Sequence, residues 1–526
     1  MYSLTGAASA GQDRRAAAGQ RRFLLAALSA STALLLAACA TSPPATLAPT
    51  PSLAPTSTAR AGQIRLPAVA GAFYPADAFA LEQTVDELLA QATASRQEPI
   101  ALIVPHAGYI YSGGVAAAAF KQIEGRQFDV LVVLGTNHSA GSFQQIAIWP
   151  SGAYSTPLGL MPIDSDLAQT VIACDLQRII ANPAVQLAEH SIEVELPFIM
   201  RTLGPMPFVP IMIGEPSAEN CQALSKALAQ ALQGRRALIV ASTDMSHYPS
   251  YDDAVQADAS TLLAICSMEP AAVERNTRVW MMQGTANLFC TLCGEGPVAV
   301  AMLTARELGA NRATVLSYAN SGNVPYGDKD QVVGYGAIMF WKGETPMLGE
   351  EDRTNLLRIA RQTLGQYLQT GTTPEFAVSS PALLETNGAF VTLKSQGQLR
   401  GCIGRMTASQ ELYRTVQEMA IAAAAEDPRF PAVRLEELEE LTIEISVLFP
   451  LEYVSNVGQI EIGSDGLYVS YGPFSGVLLP QVATEQGWDR EEFLRQVCLK
   501  AGLPADAWQK GAILYRFKAQ VFAEKD

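Results

Sequence analysis

Val130-Leu131-Val132-Val133-Leu134-Gly135-Thr136-Asn137-His138 decides how the first half of the chain is read. Apolar residues run from Val130 to Leu134 without a polar interruption, then give way to Gly-Thr-Asn-His. A strand with one face in water alternates apolar and polar side chains, whereas an unbroken run marks a strand covered on both faces. Two further runs have the same form. Ile100–Val104 leads into Pro105-His106-Ala107-Gly108-Tyr109, and Ala237–Ala241 leads into Ser242-Thr243-Asp244-Met245-Ser246-His247. Strands are therefore predicted at Ile100–Val104, Asp129–Leu134, Ala237–Ala241 and Val332–Phe340. Helical periodicity predicts helices at Leu81–Ala92, Glu219–Leu232 and Gly296–Leu308. This alternation, from Ile64 to about Trp341, predicts an α/β fold with a mostly parallel sheet flanked by helices.

The chain has four histidines, all in this region. In an open parallel sheet the carboxyl ends of the strands share one edge, where ligands bind. One histidine alone is more often a hydrogen-bonded structural residue. Three at equivalent strand ends reverse that preference, so His106, His138 and His247 are expected to converge on a divalent metal. Neutral imidazole suits zinc, iron and copper alike. His190 stands in Glu189-His190-Ser191-Ile192-Glu193-Val194-Glu195-Leu196-Pro197-Phe198, a loop entering a helix. It reads either as a proton donor or acceptor beside the site or as a capping and packing residue. Cys293 precedes an apolar helix, where the helix dipole favours a thiolate, so it is a candidate ligand. Pairing with Cys290 in a disulfide is the alternative. Cys174, Cys221 and Cys266 lie in apolar or helical contexts and read as buried thiols.

Length and charge bound the rest. A chain of 526 residues exceeds one ordinary core. A net charge of −15, from 36 basic and 51 acidic residues, argues against a nucleic-acid-binding surface. Arg14, Arg15, Arg21 and Arg22 precede the apolar stretch Phe23–Ala38, which ends in Leu36-Ala37-Ala38-Cys39. That ending resembles a bacterial lipobox, so residues 1–39 read as a lipoprotein signal peptide with Cys39 lipidated; an uncleaved membrane anchor is the alternative. The protein is then expected to be exported and lipid-anchored to the cell envelope, with its domains outside the cytoplasm. Arg21-Arg22-Phe23-Leu24-Leu25 also resembles a twin-arginine signal, lacking the residue expected before Phe-Leu. Residues 40–62, rich in Ala, Thr, Ser and Pro, read as a tether.

After a polar linker at 343–354, residues 355–526 read as a smaller α+β domain. Helices are predicted at Leu356–Leu368, Gln410–Ala425 and Arg490–Ala501. Strands are predicted at Gly388–Lys394, Leu441–Phe449, Gly466–Tyr471 and Ala512–Phe522. Cys402, beside Arg400, has no histidine after His247 to act as a base, so a local Cys–His dyad is excluded. Arg400, Cys402 and Arg429 read either as a binding cleft or as a structural cysteine among salt-bridged arginines.

Pro105-His106-Ala107-Gly108-Tyr109, Leu134-Gly135-Thr136-Asn137-His138, the Glu189–Phe198 segment, Ser242–Tyr248 and Cys293-Gly294-Glu295-Gly296-Pro297, in this order, resemble the Memo family. Ala70-Gly71-Ala72-Phe73-Tyr74-Pro75 extends the resemblance, which covers about Arg65 to Trp341 and bounds a Memo-like domain at 63–342. It implies a fold similar to the class III extradiol dioxygenases, whose iron is held by two histidines and a glutamate. It further implies His106, His138 and Cys293 as metal ligands and His247 as ligand or acid–base, with Asp244 and His190 in catalytic roles beside it. A thiolate in place of the dioxygenase carboxylate softens the site, so iron or copper is the expected metal and zinc also fits. Leu399-Arg400-Gly401-Cys402-Ile403-Gly404, Glu426–Phe430 and Ile443–Leu448 resemble the AMMECR-type domain. These resemble two parts of the AmmeMemoRadiSam system. The third part is a radical-SAM enzyme, whose Cys-x-x-x-Cys-x-x-Cys motif is absent from this sequence, so a separate radical-SAM protein is the expected partner. The chemistry expected is that of a metal-dependent oxidoreductase of unknown substrate. The alternative is a non-catalytic iron- or copper-handling redox lipoprotein whose AMMECR-type domain binds a partner.

Overall fold

In the computed structural model, residues 63–343, 347–408 and 410–524 are described. The expected signal peptide, Cys39 and the tether at 40–62 lie outside them, as does part of the 343–354 linker. The apolar runs form the centre of an eight-stranded sheet. Its order is Arg312–Asn320, Gly334–Trp341, Pro99–Val104, Ala237–Ser242, Val130–Thr136, Phe208–Ile213, Ile146–Ile148 and Ile179–Ala181. The four central strands are mutually parallel. Gly334–Trp341 and Ile146–Ile148 join them antiparallel on either side.

Both faces of the central strands are covered, which is why their sequences do not alternate. Ala101, Ile103, Val130, Val132, Leu134, Ile239 and Ala241 pack with Leu224 and Leu228 of the Ala218–Leu232 helix and Val298 of the Glu295–Glu307 helix. Leu102, Val104, Leu131, Val133, Leu238 and Val240 face the other way, onto the Ala78–Gln91, Tyr109–Phe120 and Leu196–Leu203 helices. The register aligns Val104 with Ser242 and Leu134 with Ala241. The chain segments carrying His106, His138 and Asp244 therefore leave the sheet at one edge.

A buried ion pair secures the segment that carries His190. Arg65 and Glu193 are both almost fully buried, with Arg65 Nη1 2.7 Å from Glu193 Oε2. Arg65 also donates to the backbone carbonyls of Gln186 and Glu189. Glu193 in turn accepts from Tyr74 Oη at 2.6 Å and from the backbone N–H groups of Ala68 and Val69. Its two oxygens are thus fully used, as a buried carboxylate requires.

The second domain opens with a helix at Glu350–Thr370, which starts earlier than its apolar period because Glu350, Glu351 and Asp352 supply an acidic first turn. Gln398–Arg405, Ala389–Ser395, Leu441–Leu448 and Ala519–Ala523 form one antiparallel sheet, and Glu452–Tyr453, Ile513–Phe517, Gly466–Tyr471 and Phe474–Leu478 a second. The predicted single strand Ala512–Phe522 is two strands, one in each sheet. The chain passes between them at Lys518, whose carbonyl accepts from Phe449 N at 2.9 Å. Phe390, Leu448, Tyr515 and Phe517 join the same core as Leu262, Ile265 and Met268 of the first domain. Among the described residues no helix is long and apolar enough to cross a membrane.

Candidate metal centre

His106 follows the Pro99–Val104 strand and is almost fully buried. Its backbone N–H donates to Asp244 Oδ1 at 2.9 Å, and its Nδ1 lies 2.8 Å from Ser242 Oγ. His138 follows the Val130–Thr136 strand. Both its backbone N–H and its Nδ1 engage Glu189, at 2.8 and 3.0 Å. His190 follows Glu189 directly, and its Nδ1 lies 3.4 Å from Glu189 Oε1.

The three rings cluster, with centroids 5.1 Å apart for His106–His138, 5.3 Å for His106–His190 and 4.8 Å for His138–His190. One potential ligand atom from each of the three lies within 4.8 Å of the other two. Because each Nδ1 has an oxygen neighbour, the Nε2 atoms remain as the donors, the usual arrangement when a ligating histidine is oriented through its other nitrogen. Burial, reinforced by His190 and His138, pushes the His106 pKa well below the ordinary histidine value. Burial also lowers that of His190. Both are neutral imidazoles, the protonation state a metal requires. The donor set thus fits a transition metal that favours imidazole.

The three-imidazole group among the described residues takes in His190, which the sequence reads as a helper or packing residue, and does not take in His247. His247 is tied down by its own loop. Its Nδ1 meets the Met245 carbonyl at 2.9 Å, and its backbone N–H donates to Cys290 O at 3.0 Å. Met245 N donates to Gly334 O and Tyr248 N to Val332 O, which ties this loop to the neighbouring antiparallel strand. Ser246 adds two hydrogen bonds to buried Asp258, at 2.9 and 3.0 Å.

Cys293 Sγ stands 3.3 Å from His106 Nε2, outside the three-imidazole group yet beside it. Burial and the nearby Asp244 push its thiol well above the ordinary cysteine value, so burial overrides the expected help from the helix that begins at Glu295. A bound metal would supply the positive charge a thiolate needs there. Cys290 and Cys293 are both free thiols, so the alternative disulfide is not formed. Cys290 lies 3.6 Å from His247 Nδ1. Burial raises the Asp244 carboxyl to about 7; its Oδ1 is held by the His106 and Ala107 backbone, while its Oδ2 lies 4.0 Å from His106 Nε2.

Glu189 was not foreseen. Burial alone would raise its carboxyl, but the hydrogen bond and charge of His138, with the His138 and Ser191 N–H groups, outweigh burial and bring it to about 2. A carboxylate adjoining His190 in the sequence was the available signal. Of the cysteines read as buried, Cys221 is buried, whereas Cys174 is exposed because it is the last residue of the Ser165–Cys174 helix.

In the second domain Arg400 grips Glu437 at 2.9 and 3.2 Å, and Arg429 grips Asp427 at 2.8 and 2.6 Å. Asp427 accepts from Cys402 N at 2.8 Å, and Arg429 donates to Cys402 O at 3.2 Å. Both arginines are committed to ion pairs, so the geometry follows the salt-bridged reading.

A parallel sheet beside whose strand ends three imidazoles gather, with a buried carboxylate against two of them and a serine hydroxyl against the third, defines an α/β protein with a candidate metal site. The family model described as Memo-like protein matches residues 65–339, and that described as AMMECR1 matches residues 357–522. The chain belongs to the Memo family and carries an AMMECR1 domain after its Memo-like domain. A MEMO1 family protein of Pyrobaculum arsenaticum is 32% identical over 289 residues, 53% of this chain and 99% of that one. A MEMO1 family protein of Methanothermobacter thermautotrophicus is 35% identical over 283 residues, 52% of this chain and 98% of that one. A Thermococcus gammatolerans protein is 46% identical over 182 residues, 32% of this chain and 89% of that one. Among solved structures, an uncharacterized protein from Pyrococcus horikoshii matches at 42% identity, covering 34% of this chain and 94% of that one, with a TM-score of 0.33.

Proposed function

We propose that the Memo-like domain is a non-haem metal-dependent oxidoreductase that holds iron or copper between His106, His138 and His190, with Cys293 joining when the metal binds. The observation that carries this reading is the convergence of three imidazole donors within 4.8 Å at the sheet edge. The metal would supply Lewis acidity and redox change at that edge. The protein's own part is to keep His106 and His190 neutral, to orient the imidazoles through Nδ1, and to hold a proton on Asp244, whose carboxyl sits near neutral pH.

The second reading is metal handling without turnover, and the Cys293 thiol beside His106 favours it, since a soft donor suits copper. Elemental analysis after anaerobic purification, on the native chain and on His138→Ala and Cys293→Ser, separates the two. Iron in the native chain, lost in His138→Ala and reduced in Cys293→Ser, supports the oxidoreductase. Copper lost in Cys293→Ser supports handling. No metal change in His138→Ala overturns both. In the cell we place the protein outside the cytoplasm, lipid-anchored through Cys39, with a separate radical-SAM protein as partner of the fused domains. The Leu36-Ala37-Ala38-Cys39 sequence and the pairing of Memo-like and AMMECR1 domains support this placement. Labelling with a radioactive fatty acid, compared with Cys39→Ala, tests the anchor.

A further inference from the structure

Behind the imidazoles lies a buried hydroxyl with three polar neighbours. Ser242 Oγ is 2.7 Å from the Ser191 carbonyl, 2.8 Å from Glu195 Oε1 and 2.8 Å from His106 Nδ1. Ser242 and Glu195 are both fully buried. Each separation is short enough to require a proton between the two atoms. A serine hydroxyl carries one proton and two lone pairs. The Ser191 carbonyl has no proton to give, so the contact with it must use the serine proton. The contact with His106 must then use an Nδ1–H, and the contact with Glu195 must use a carboxylic acid proton. This assignment alone satisfies all three contacts.

We propose that Glu195 is a neutral carboxylic acid that fixes the Ser242 hydroxyl, and that Ser242 thereby holds His106 as the Nδ1–H tautomer with its Nε2 lone pair free for a metal. Two observations agree. Among the described residues Glu195 Oε2 has no hydrogen-bond partner, as a carbonyl oxygen of an acid tolerates and a buried carboxylate does not. Among the described residues no cation acts on Glu195: burial, the Ser242 hydroxyl and Asp244 are its influences, and burial, the largest, favours the protonated form. The arrangement differs from that at His138, where ionised Glu189 accepts from Nδ1 directly. One imidazole is thus oriented by an anion and another by an uncharged hydroxyl, so the site's first ligand gains direction without a second buried negative charge. Ser242 and Glu195 are positioning residues, and neither is a metal ligand.

The inference rests on the proposed metal site for its purpose and not for its test. The metal-free full chain, labelled with nitrogen-15 in its four histidines, reports the tautomer of each ring by nuclear magnetic resonance, with His106→Asn assigning the His106 signals. His106 is expected as Nδ1–H in the native chain and in Glu195→Gln, whose amide supplies the same kind of donor. Ser242→Ala is expected to lose that preference and to weaken zinc roughly 10–100-fold, while Glu195→Gln stays close to the native affinity. The infrared difference between the native chain and Glu195→Gln is expected to carry the carbonyl band of a protonated carboxylic acid at neutral pH. A carboxylate band there, or an unchanged His106 tautomer in Ser242→Ala, overturns the inference. A native chain that shows the Nδ1–H tautomer but binds neither zinc, iron nor copper overturns the metal-site reading alone.

Discussion

Glu189 shows how much one side chain can carry. It accepts from the His138 backbone, from His138 Nδ1 and from the backbone N–H groups of His190 and Ser191. Replacing it with glutamine leaves the fold but loses the charge that orients two imidazoles. Zinc affinity of Glu189→Gln, measured by competition with a chromophoric chelator, is expected to fall roughly 10–100-fold. The same carboxyl predicts a pH effect. Its pKa in the folded chain, about 2, lies below its ordinary value of 4.5, so its stabilisation is present above 4.5 and is lost as pH falls through about 2. Acid unfolding followed by circular dichroism should therefore be less steep in Glu189→Gln across that window. At this scale the sequence was legible where a histidine ended an apolar run, as at His106 and His138. It was not legible at Glu189 or Glu195, because an acidic residue in a mixed loop looks the same whether it meets water or an imidazole.

At the scale of elements, the parallel strands were readable because burial on both faces leaves an unbroken apolar signature. Their turns were not. Val130–Thr136 and Ala237–Ser242 end within one residue of each other, yet the chain after Ser242 continues through Asp244 to a loop pinned by Gly334, Val332 and Asp258, and His247 on that loop is not in the three-imidazole group. Strand position alone does not report such cross-strand ties. The closeness of these segments gives a test at Gly294. A β-carbon there would stand 2.6 Å from Thr243 Cβ and 2.8 Å from the Ser242 carbonyl. Gly294→Ala must move the Cys293 turn away from the Ser242–Asp244 segment, and a loss of about 1–3 kcal/mol is expected in urea denaturation. The Arg65–Glu193 pair gives a second test. Arg65→Leu strands a buried carboxylate, and a cost of about 3–5 kcal/mol is expected by the same measurement.

For the molecule as a whole, the split of Ala512–Phe522 into two strands matters more than a misplaced boundary. Ile513–Phe517 lays Tyr515 and Phe517 into the core that also holds Ile265 and Met268, so the two domains share apolar contacts. A periodic run of apolar residues announces a strand without announcing that it changes sheets. Phe517→Ala is expected to cost about 3–5 kcal/mol and to lower the stability of both domains together. Scanning calorimetry checks this: one transition that shifts as a unit is expected, and a separate, unshifted transition for the Memo-like domain contradicts it.

The shared core also bears on supply. Two proteins made separately meet in a ratio set by their expression and part on dilution. Here the Memo-like domain and its AMMECR1 companion are produced one to one, and their local concentration is fixed by a covalent chain and a buried seam. Whatever step needs both is therefore independent of how scarce the protein becomes.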